Sequence, residues 1–516
     1  MEVLAGLADE FSVDERNCLS VAYKNAAGSR RAAWRIITSL ITKQRAEGNE
    51  EKANCAQCYR ATVEAELHRL CDAVLALLDN LIRNSSNNES TTFYHKMKAD
   101  YYRYIAEVAD LDQKSQAVER ARVAYEEAQN QAHRDLAVSH PIRLGIALNF
   151  SVFTYEVLQN RDEACTIART AFEDSIAELD NVSEEHYKDS TLIMQMLRDN
   201  LTLWTSEDEE GGEDHTACPS ESLPQSSGHT GEQPPPMSAR DKEVFLANLA
   251  EQGERYDEMV VHMELVASYP DELSVEERNL FSVAYKNAVG SRRAAWRIIS
   301  NEEEKQRASN NVNAQYAEQY RNILEAELQK LCDGVLALVD GSLIKSAGSS
   351  ETKLFYQKMK GDYQRYIAEF ATGDKKSHAT EQASLAYKEA QNVLTTEFAP
   401  TNPIRLGTQL SIAVFTYEVL QERENAIKIA RSAFDDAIEV LDNLDEVSYK
   451  DSTLILQLLR DKLELWTSPQ EAEQVGEEGK EESGEGSVVT GEKHETNSSS
   501  ERQQTNSDRQ GICTVT

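Results

Sequence analysis

Apolar residues recur along this chain at the three-and-four spacing of amphipathic helices. Leu19, Ala22, Tyr23 and Ala26 fall at positions i, i+3, i+4 and i+7, which places them on one face of a helix. Similar spacing recurs near the end of each half of the chain, and no alternating run of strand length appears. The pattern therefore predicts an all-α fold of long antiparallel helices packed into bundles.

Several helix starts can also be predicted from the sequence. Ser12 stands three residues before Glu15, and the same Ser-x-x-Glu spacing begins at Ser274; this is the pattern of a capping box. Pro141 and Pro403 precede apolar runs, where proline is tolerated in the first helical turn. Long helices are predicted to begin at all four places.

A long internal repeat governs the organisation of the chain. The string "YKNAAGSRRAAWR" from Tyr23 returns as "YKNAVGSRRAAWR" from Tyr285, and Trp34 matches Trp296 at the same offset of 262 residues. A period of this size indicates two tandem domains rather than a solenoid of short repeats. The predicted divisions are a first domain at 1–205, a disordered acidic Gly/Ser/Pro linker at 206–237, a second domain at 238–467 and a disordered acidic tail at 468–516.

The two copies differ at their beginnings. The second copy carries "DKEVFLANLAEQGERYDEMVVHMELV" before its Ser274 capping box, whereas the first copy has almost none of this segment before Ser12. We therefore expect the first domain to lack its N-terminal helix and the second to be complete, with about nine helices. Whether Met1 is the true start stays open, since an alternative start or an incomplete gene model would give the same sequence.

Composition and charge exclude several classes of function. The formal net charge of −35 over 516 residues disfavours a nucleic-acid or anionic-membrane binder, which needs a surplus of lysine and arginine. The first residues do not predict a signal peptide, and no apolar run in the sequence is long enough to predict a membrane span. The eight cysteines are scattered, with a single CxxC at Cys55 and Cys58, which favours reduced thiols and no metal site. The chain is therefore expected to be cytoplasmic, with no cofactor.

Basic residues nevertheless cluster on two predicted helices. Lys24 and Arg31 are seven residues apart, and Lys96 and Arg103 repeat that spacing with Tyr104 beside the arginine. Residues seven apart lie on one helical face, so two such helices can converge on one dianion, with arginine forks suited to phosphate. The alternative interpretation is that these cations pair with surface glutamates. The same types, order and spacing recur in the second copy, at Lys286, Arg293, Lys358, Arg365 and Tyr366.

At these residues the chain resembles the 14-3-3 family of phosphoserine- and phosphothreonine-binding adaptors. The strings that carry the resemblance are "RNCLSVAYKN", "KMKADYYRYIAE", "HPIRLGIALNFSVFTYE" and "YKDSTLIMQMLRDNLTLWTS", and it extends over 1–205 and about 238–467. It implies a fold of nine antiparallel helices that form a cup, usually paired into a dimer.

The resemblance also implies roles for individual residues. In the first copy the phosphate would be bound by Lys24, Arg31, Arg103 and Tyr104. The peptide groove beside it would comprise Arg35, Lys96, Leu148, Asn149, Val152, Glu156 and Asn200, with Leu192, Ile193, Met196 and Leu203 on the same apolar wall. In the second copy the phosphate residues would be Lys286, Arg293, Arg365 and Tyr366, and the groove residues Arg297, Lys358, Leu410, Val414 and Glu418.

The second copy departs from this pattern at two positions. Ser411 stands where the first copy has Asn149, and Lys462 stands where it has Asn200. These asparagines resemble those that hydrogen-bond the peptide backbone in the family. A lost, partly buried hydrogen bond costs of order 1 kcal/mol. The hypothesis is therefore that the second groove still accepts phosphate but holds the flanking peptide more loosely.

The resemblance further implies how the domains associate. Arg255 and Glu258 match charged residues of the family's dimer interface, and the acid facing Arg255 would be Glu66 or Glu327. Two arrangements stay open: intrachain pairing of the two domains, and self-association of two chains through their second domains.

The functional prediction is a non-enzymatic adaptor in signal transduction that binds phosphorylated Ser/Thr segments, up to two per chain. The sequence contains no Gly-rich phosphate loop, no GxSxG and no HExxH motif, which disfavours an enzyme. The alternative is a structural or dominant-negative protein with only one competent groove.

Overall fold

The computed structural model describes residues 11–109, 111–179, 182–206, 237–440 and 446–468. Within those ranges the chain contains sixteen helices and no strand, so the predicted all-α fold class is confirmed. The chain divides into two compact units, residues 1–397 and residues 398–516. The boundary between these units falls inside the second sequence repeat.

Seven helices belong to the first copy. They are α1 (Val13–Ala46), α2 (Glu50–Asn84), α3 (Asn88–Val108), α4 (Leu111–Asp135), α5 (Pro141–Glu156), α6 (Arg161–Ala177) and α7 (Glu184–Ser206). Residues 1–10 lie outside the described part of the chain. The expectation that the first domain lacks its N-terminal helix therefore stays a prediction.

Nine helices belong to the second copy, as predicted. The first compact unit contains α8 (Ala239–Gln252), α9 (Tyr256–Ala267), α10 (Val275–Ala308), α11 (Ala314–Leu338), α12 (Ser350–Phe370) and α13 (Gly373–Glu397). The second unit contains α14 (Pro403–Glu418), α15 (Arg423–Ile438) and α16 (Glu446–Thr467). Helix α11 continues through a π-helical stretch, Val339–Leu343, and a short α-helical turn, Ile344–Ser346, and the three are counted here as one helix.

The predicted helix starts are confirmed. In α1 the Ser12 backbone N–H donates to the Glu15 carboxylate at 2.8 Å, and the Glu15 N–H donates back to Ser12 Oγ at 3.3 Å. The Ser274 box of α10 has the same reciprocal bonds, at 2.8 and 3.1 Å. Pro141 and Pro403 lie in the first turns of α5 and α14. Local sequence therefore determines where these four helices begin.

Apolar helix faces meet in cores that repeat between the copies. In the first copy Trp204 is buried and stacks on Tyr155, with ring centroids 4.6 Å apart. In the second unit Trp466 stacks on Tyr417 at 4.5 Å, and Arg423 Nε donates to the Trp466 carbonyl at 3.0 Å. The duplicated tryptophans thus join the last helix of each copy to the helices before it.

Helices α8 and α9 form a hairpin that packs against α1 and α2 of the first copy. At the turn, Gly253 approaches Ala33 so closely that an added Cβ would lie 3.2 Å from the Ala33 Cβ. Arg255 donates to Glu66 at 2.8 Å, and Tyr59 donates to Glu258. Of the two acids that the sequence left open for Arg255, the structure places Glu66 against it.

The equivalent face of α10 and α11 is uncovered within the described residues of the first unit. Tyr59 is 7% exposed beneath the hairpin, whereas its counterpart Tyr320 is 50% exposed. Glu327, the counterpart of Glu66, accepts from Arg292 at 2.7 Å. Among the described residues there is one such hairpin for two matching faces, so the two copies have different surroundings despite their similar sequences.

Candidate functional site

Two arginines of α1 meet one glutamate of α3 in the first copy. Arg31 Nε and Arg35 Nε each lie 2.6 Å from a different carboxylate oxygen of Glu107. Arg31 and Arg35 are four residues apart, so they project from one face of α1. The Glu107 carboxylate therefore joins both guanidinium groups to the last turn of α3.

The ring of Tyr104 contacts two of the predicted phosphate-binding arginines. The Arg31 guanidinium carbon is 4.0 Å from the ring centroid, and that of Arg103 is 4.9 Å away. A cation over an aromatic face is attracted by the ring quadrupole. The ring thus holds the guanidinium groups of α1 and α3 near each other despite their like charge.

A buried carboxylate, Asp100, organises the other side of the cluster. It accepts from Lys96 Nζ at 2.9 Å, from the Tyr125 hydroxyl at 2.6 Å and from Asn149 Nδ2 at 2.7 Å. Arg103 Nε in turn donates to the Tyr125 oxygen at 3.2 Å. Asp100 therefore joins α3 to α4 and α5 and holds the Asn149 amide beside the cations.

Asp100 is ionised in this environment. Burial alone would raise its pKa, but the charges of Lys96 and Arg103 and the bond from Tyr125 outweigh burial and lower the pKa below its usual value. An ionised buried carboxylate must have its lone pairs satisfied, and three donors do so here. The network depends on this negative charge.

The cluster retains an excess of positive charge. Lys96 and the three arginines give four cations, and the carboxylates of Asp100 and Glu107 are the acids paired directly with Lys96, Arg31 and Arg35. Glu156 lies in the field of these arginines, and burial raises its pKa. The arrangement is suited to a multiply charged anion.

Some of the remaining predicted residues of the first copy lie in the core, and others are exposed or half-buried. Leu148 and Val152 are buried in the core cluster that contains Trp204, whereas Leu192 and Leu203 are exposed. Asn200 is half-buried and Lys24 is exposed. No ion pair joins Lys24 to another residue among those described, so Lys24 makes no ion pair with Glu107.

The second copy reproduces the cation cluster closely. Glu369 accepts from Arg293 Nε at 2.8 Å and from Arg297 Nε at 2.6 Å. The Tyr366 ring lies 3.9 Å from the Arg293 guanidinium and 4.6 Å from that of Arg365. Lys286 is exposed, as Lys24 is.

The buried carboxylate is reproduced as well. Asp362 accepts from Lys358 Nζ at 2.6 Å and from the Tyr387 hydroxyl at 2.7 Å, and Arg365 lies 3.8 Å from it. Burial tends to raise the pKa of Asp362, but Lys358 and Arg365 lower it overall. All of these side chains lie in the first compact unit.

The groove residues predicted for the second copy beyond α13 lie in the second compact unit. Leu410 and Val414 are half-buried against the core of that unit. Lys462 Nζ is 4.0 Å from the Glu418 carboxylate. The lysine that replaces an asparagine thus faces the glutamate predicted as a groove acid.

Comparison with known proteins identifies the family. The 14-3-3 family model, described as "14-3-3 protein", matches residues 1–205 and 246–467. The chain belongs to the 14-3-3 family. It is 54% identical to 14-3-3 protein 4 of Solanum lycopersicum over 256 residues, which are 48% of this chain and 98% of that protein. It is 55% identical to 14-3-3-like protein C of Nicotiana tabacum over 234 residues, 45% of this chain and 90% of that protein.

A further relative gives the same coverage. The 14-3-3-like protein GF14 psi of Arabidopsis thaliana is 54% identical over 248 residues, 48% of this chain and 97% of that protein. Each relative thus aligns over nearly its own full length with about half of this chain. With the two family matches, this is consistent with a tandem arrangement of 14-3-3 units.

Sequence reasoning missed four acids of this 14-3-3 chain. Glu107 and Glu369 pair with arginines from another helix, and Asp100 and Asp362 are buried beneath the cations. One signal was present: Lys96 precedes Asp100 by four residues, and the second copy repeats that spacing. Residues four apart lie on one helical face. The repetition of this Lys–Asp spacing in both copies, next to the arginines, could therefore have predicted a lysine–aspartate pair in each cluster.

The described residues were also compared with the patterns of metal sites and of membrane-spanning helices. Among the residues described, no group of three or more His, Cys, Asp or Glu side chains is arranged to hold a metal ion. None of the helices in the described ranges has the length and apolar character needed to cross a bilayer.

Replacing Asp100 tests the network on which the first cluster depends. We expect Asp100→Asn to lower the stability of the first copy by about 3 kcal/mol, because it leaves Lys96 without its buried partner. Amide hydrogen exchange in α3, α4 and α5 measures the change. Asp79→Asn is the matched control, since Asp79 pairs with Lys98 at the surface at 2.9 Å and such pairs contribute under about 1 kcal/mol.

The same pair of variants gives a pH dependence. The pKa of Asp100 is lower in the folded chain, so its stabilisation is fully present above the unfolded-state pKa of about 3.9 and is lost as the pH falls through the folded pKa. The wild-type advantage over Asp100→Asn should therefore be constant near neutral pH and shrink below about pH 4. An advantage that grows with acidity would contradict this assignment.

Proposed function

We propose that this 14-3-3 chain is a phosphoserine- and phosphothreonine-dependent adaptor with two grooves on one polypeptide. The observation that supports it is the duplicated cluster, in which two arginines, a tyrosine ring and a third arginine recur with the same contacts around Glu107 and Glu369. Family membership supports a phosphopeptide-binding adaptor role in general. The residue assignments are our own.

The phosphate would be bound by the cations of α1 and α3. A phosphoserine carries a charge of about −1.5 to −2 and three acceptor oxygens at pH 7. The guanidinium groups of Arg31 and Arg103 both lie within 5 Å of the centre of the Tyr104 ring, at 4.0 and 4.9 Å, and each fork can donate two bonds to phosphate. Lys24 is assigned to the outer edge of this site.

The flanking peptide would be held by amides and an apolar wall. Asn149 Nδ2 donates one of its two hydrogens to Asp100, so its second N–H is assigned to a peptide carbonyl and its oxygen to a peptide N–H. Asn200 is assigned a second backbone bond. Leu192 and Leu203 are exposed and are assigned to the wall that contacts side chains next to the phosphorylated residue.

The first domain, residues 1–205, and the second domain, residues 238–467, would each contain one phosphopeptide-binding groove. Segments 206–237 and 468–516 lie almost wholly outside the described residues and are assigned as linker and tail. Two grooves on one chain allow bivalent capture, which raises avidity ~10²–10⁴-fold when the geometry permits simultaneous binding. The proposed role is non-enzymatic and cytoplasmic.

We also propose that the two 14-3-3 copies pair within one chain through the α8–α9 hairpin. The supporting contacts are the Arg255–Glu66 bond at 2.8 Å and the close approach of Gly253 to Ala33. Ala33 and Ile37 are fully buried, which covers an apolar surface that would otherwise favour aggregation.

Calorimetric titration with an Arg-rich phosphoserine peptide and its unphosphorylated form tests the adaptor role. We expect about two sites per chain for the phosphopeptide and none for the other form. Arg31→Ala and Arg293→Ala should each remove one site, because each loses a charge-assisted contact of about 1.5–3 kcal/mol. Equal binding of both peptide forms would refute the proposal, and a single wild-type site would favour the structural or dominant-negative alternative.

The looser second groove can be tested in isolation. In an Arg31→Ala background, Ser411→Asn together with Lys462→Asn should tighten the phosphopeptide by about fivefold or more, because each restored bond contributes around 1 kcal/mol. Glu422→Gln, at the N-terminal end of α15, is the surface control. Unchanged affinity in the double variant would contradict the asparagine hypothesis.

A disulfide pair distinguishes the two pairing arrangements. The Ala33→Cys/Gly253→Cys chain should close within one molecule, since a Cβ at Gly253 would lie 3.2 Å from that of Ala33, near the 3.5–4.5 Å of disulfides. Non-reducing electrophoresis and peptide mapping would show a cross-linked monomer. Ala295→Cys/Gly253→Cys is the matched control, because Ala295 is the counterpart of Ala33. Covalent dimers from the control alone would show that chains pair through their second copies.

A further inference from the structure

Two histidines meet where α5 and α7 of the first copy begin. His140 is the N-cap residue of α5, and His186 lies in the first turn of α7, with the two ring centroids 4.7 Å apart. Ser190 of α7 also donates to the Ser139 carbonyl at 2.7 Å. These four residues, referred to below as the histidine joint, connect the starts of the two helices.

His140 caps α5 through an unprotonated ring nitrogen. Its Nδ1 accepts from the Ile142 backbone N–H at 3.2 Å, a bond that satisfies one of the donors left open at a helix start. The ring proton of the neutral side chain is then on Nε2. A second proton has to bind Nδ1, which can no longer accept a hydrogen bond. Protonation of His140 therefore removes the cap.

The charged and titratable groups that act on His140 come from three helices. They are Arg16 of α1, Glu89 of α3 and His186 of α7. Arg16 is buried and donates to one Glu89 oxygen at 2.7 Å, so this carboxylate already has a partner. His140 Nε2 lies 4.0 Å from the other Glu89 oxygen, which is beyond hydrogen-bond distance.

The surroundings of His140 oppose its protonation. Burial lowers its pKa, the proximity of His186 and Arg16 lowers it further, and Glu89 opposes this change without reversing it. A histidine whose pKa is lower in the folded chain stabilises the fold fully above the unfolded-state pKa of about 6.5. That stabilisation is lost as the pH falls from this value toward the folded-state pKa, because the unfolded chain then binds more protons.

The second copy has the same helix start without histidines. Asn402 is the N-cap residue of α14, and its side-chain oxygen accepts from the next two helical N–H groups with 3.0 and 3.1 Å separations. Ser448 stands where the first copy has His186. The serine-to-carbonyl bond of the joint recurs as well, at 2.7 Å. Because asparagine and serine do not titrate in this range, only the first copy has a cap that acid can remove.

We propose that the histidine joint is an acid-sensitive element, which loosens the starts of α5 and α7 in mildly acidic solution while α14 of the second copy stays capped. The two helices of the first copy contain Asn149 and Asn200, the amides assigned to the first groove. Acid therefore weakens phosphopeptide binding at the first groove more than at the second. This last consequence rests on the function proposed above, whereas the loosening of the joint does not.

Amide hydrogen exchange of the full chain tests the joint itself. The measurement compares about pH 7.5 with about pH 5.5, on either side of the unperturbed histidine pKa of about 6.5. After correction for the intrinsic exchange rate at each pH, protection in the first two turns of α5 should fall about fivefold in acid, the effect of losing one N-cap bond. Protection at the start of α14 should stay the same.

Residues exchanged between the copies supply the variants. His140→Asn introduces the cap of the second copy, so it should keep the protection of α5 at neutral pH and abolish the loss in acid. The reverse variant, Asn402→His/Ser448→His, should make the start of α14 sensitive to acid. His68→Gln is the control, because it also replaces a histidine of the first copy by the residue of the second, Gln329. It should leave the acid response of α5 intact.

Calorimetric titration with the phosphoserine peptide measures the effect on the grooves. Arg293→Ala leaves the first groove and Arg31→Ala leaves the second, and the loss of affinity in acid should be about fivefold larger at the first groove. The phosphate itself loses charge near pH 6, and the second groove measures that shared effect. His140→Asn should abolish the difference between the two grooves.

Two results would overturn the proposal. One is an equal loss of protection at the starts of α5 and α14. The other is an acid response of α5 that persists in His140→Asn, which would assign it to other histidines such as His95 and His133, whose pKa values burial also lowers. If the phosphopeptide binds at neither pH, the adaptor proposal fails, and the exchange data still decide whether the joint responds to acid.

Discussion

Each cation cluster depends on acidic side chains that neutralise part of the positive charge contributed by two helices. Arginines from α1 and α3 would repel one another at these distances, and Glu107 prevents this by accepting from Arg31 and Arg35 at 2.6 Å each. Asp100 does the same for Lys96 and connects the cluster to α4 and α5. The helices therefore pack around a charged centre that is ordered before any ligand arrives. A preorganised site loses less conformational entropy when it binds.

Within the described residues, the α8–α9 hairpin covers one of two matching helix faces and so breaks the symmetry of the repeated sequence. Glu66 accepts from Arg255 at 2.8 Å and from Arg30 of its own copy at 3.2 Å, whereas its counterpart Glu327 accepts from Arg292 at 2.7 Å. Glu66 thus adds a contact between copies to the contact within its own copy. Tyr59 is covered and Tyr320 is exposed for the same reason. Two copies of similar sequence thus have different surfaces at these equivalent helices.

Much of the fold was predictable because its signals are local. Ser12 and Glu15 form their capping box within one turn of helix, and the 262-residue repeat in the sequence indicated the second cluster once the first was recognised. The partner of Arg255 was not predictable, because Glu66 and Glu327 are chemically identical and long-range geometry chooses between them. The role of Asp100 was hidden as well, since its bonds to Tyr125 and Asn149 span 25 and 49 residues.

The charge compensation also suggests how an adaptor of this kind would reject unphosphorylated ligands. A ligand must compete with Glu107 for Arg31 and Arg35, and a single carboxylate on a peptide offers those arginines no more than Glu107 already provides. A phosphate carries up to two negative charges and three acceptor oxygens. It can therefore accept hydrogen bonds from Arg103 and also from Arg31 and Arg35 while these two remain paired with Glu107. Glu107 would then raise specificity at some cost in affinity, because it weakens the binding of singly charged ligands more than the binding of the phosphate dianion.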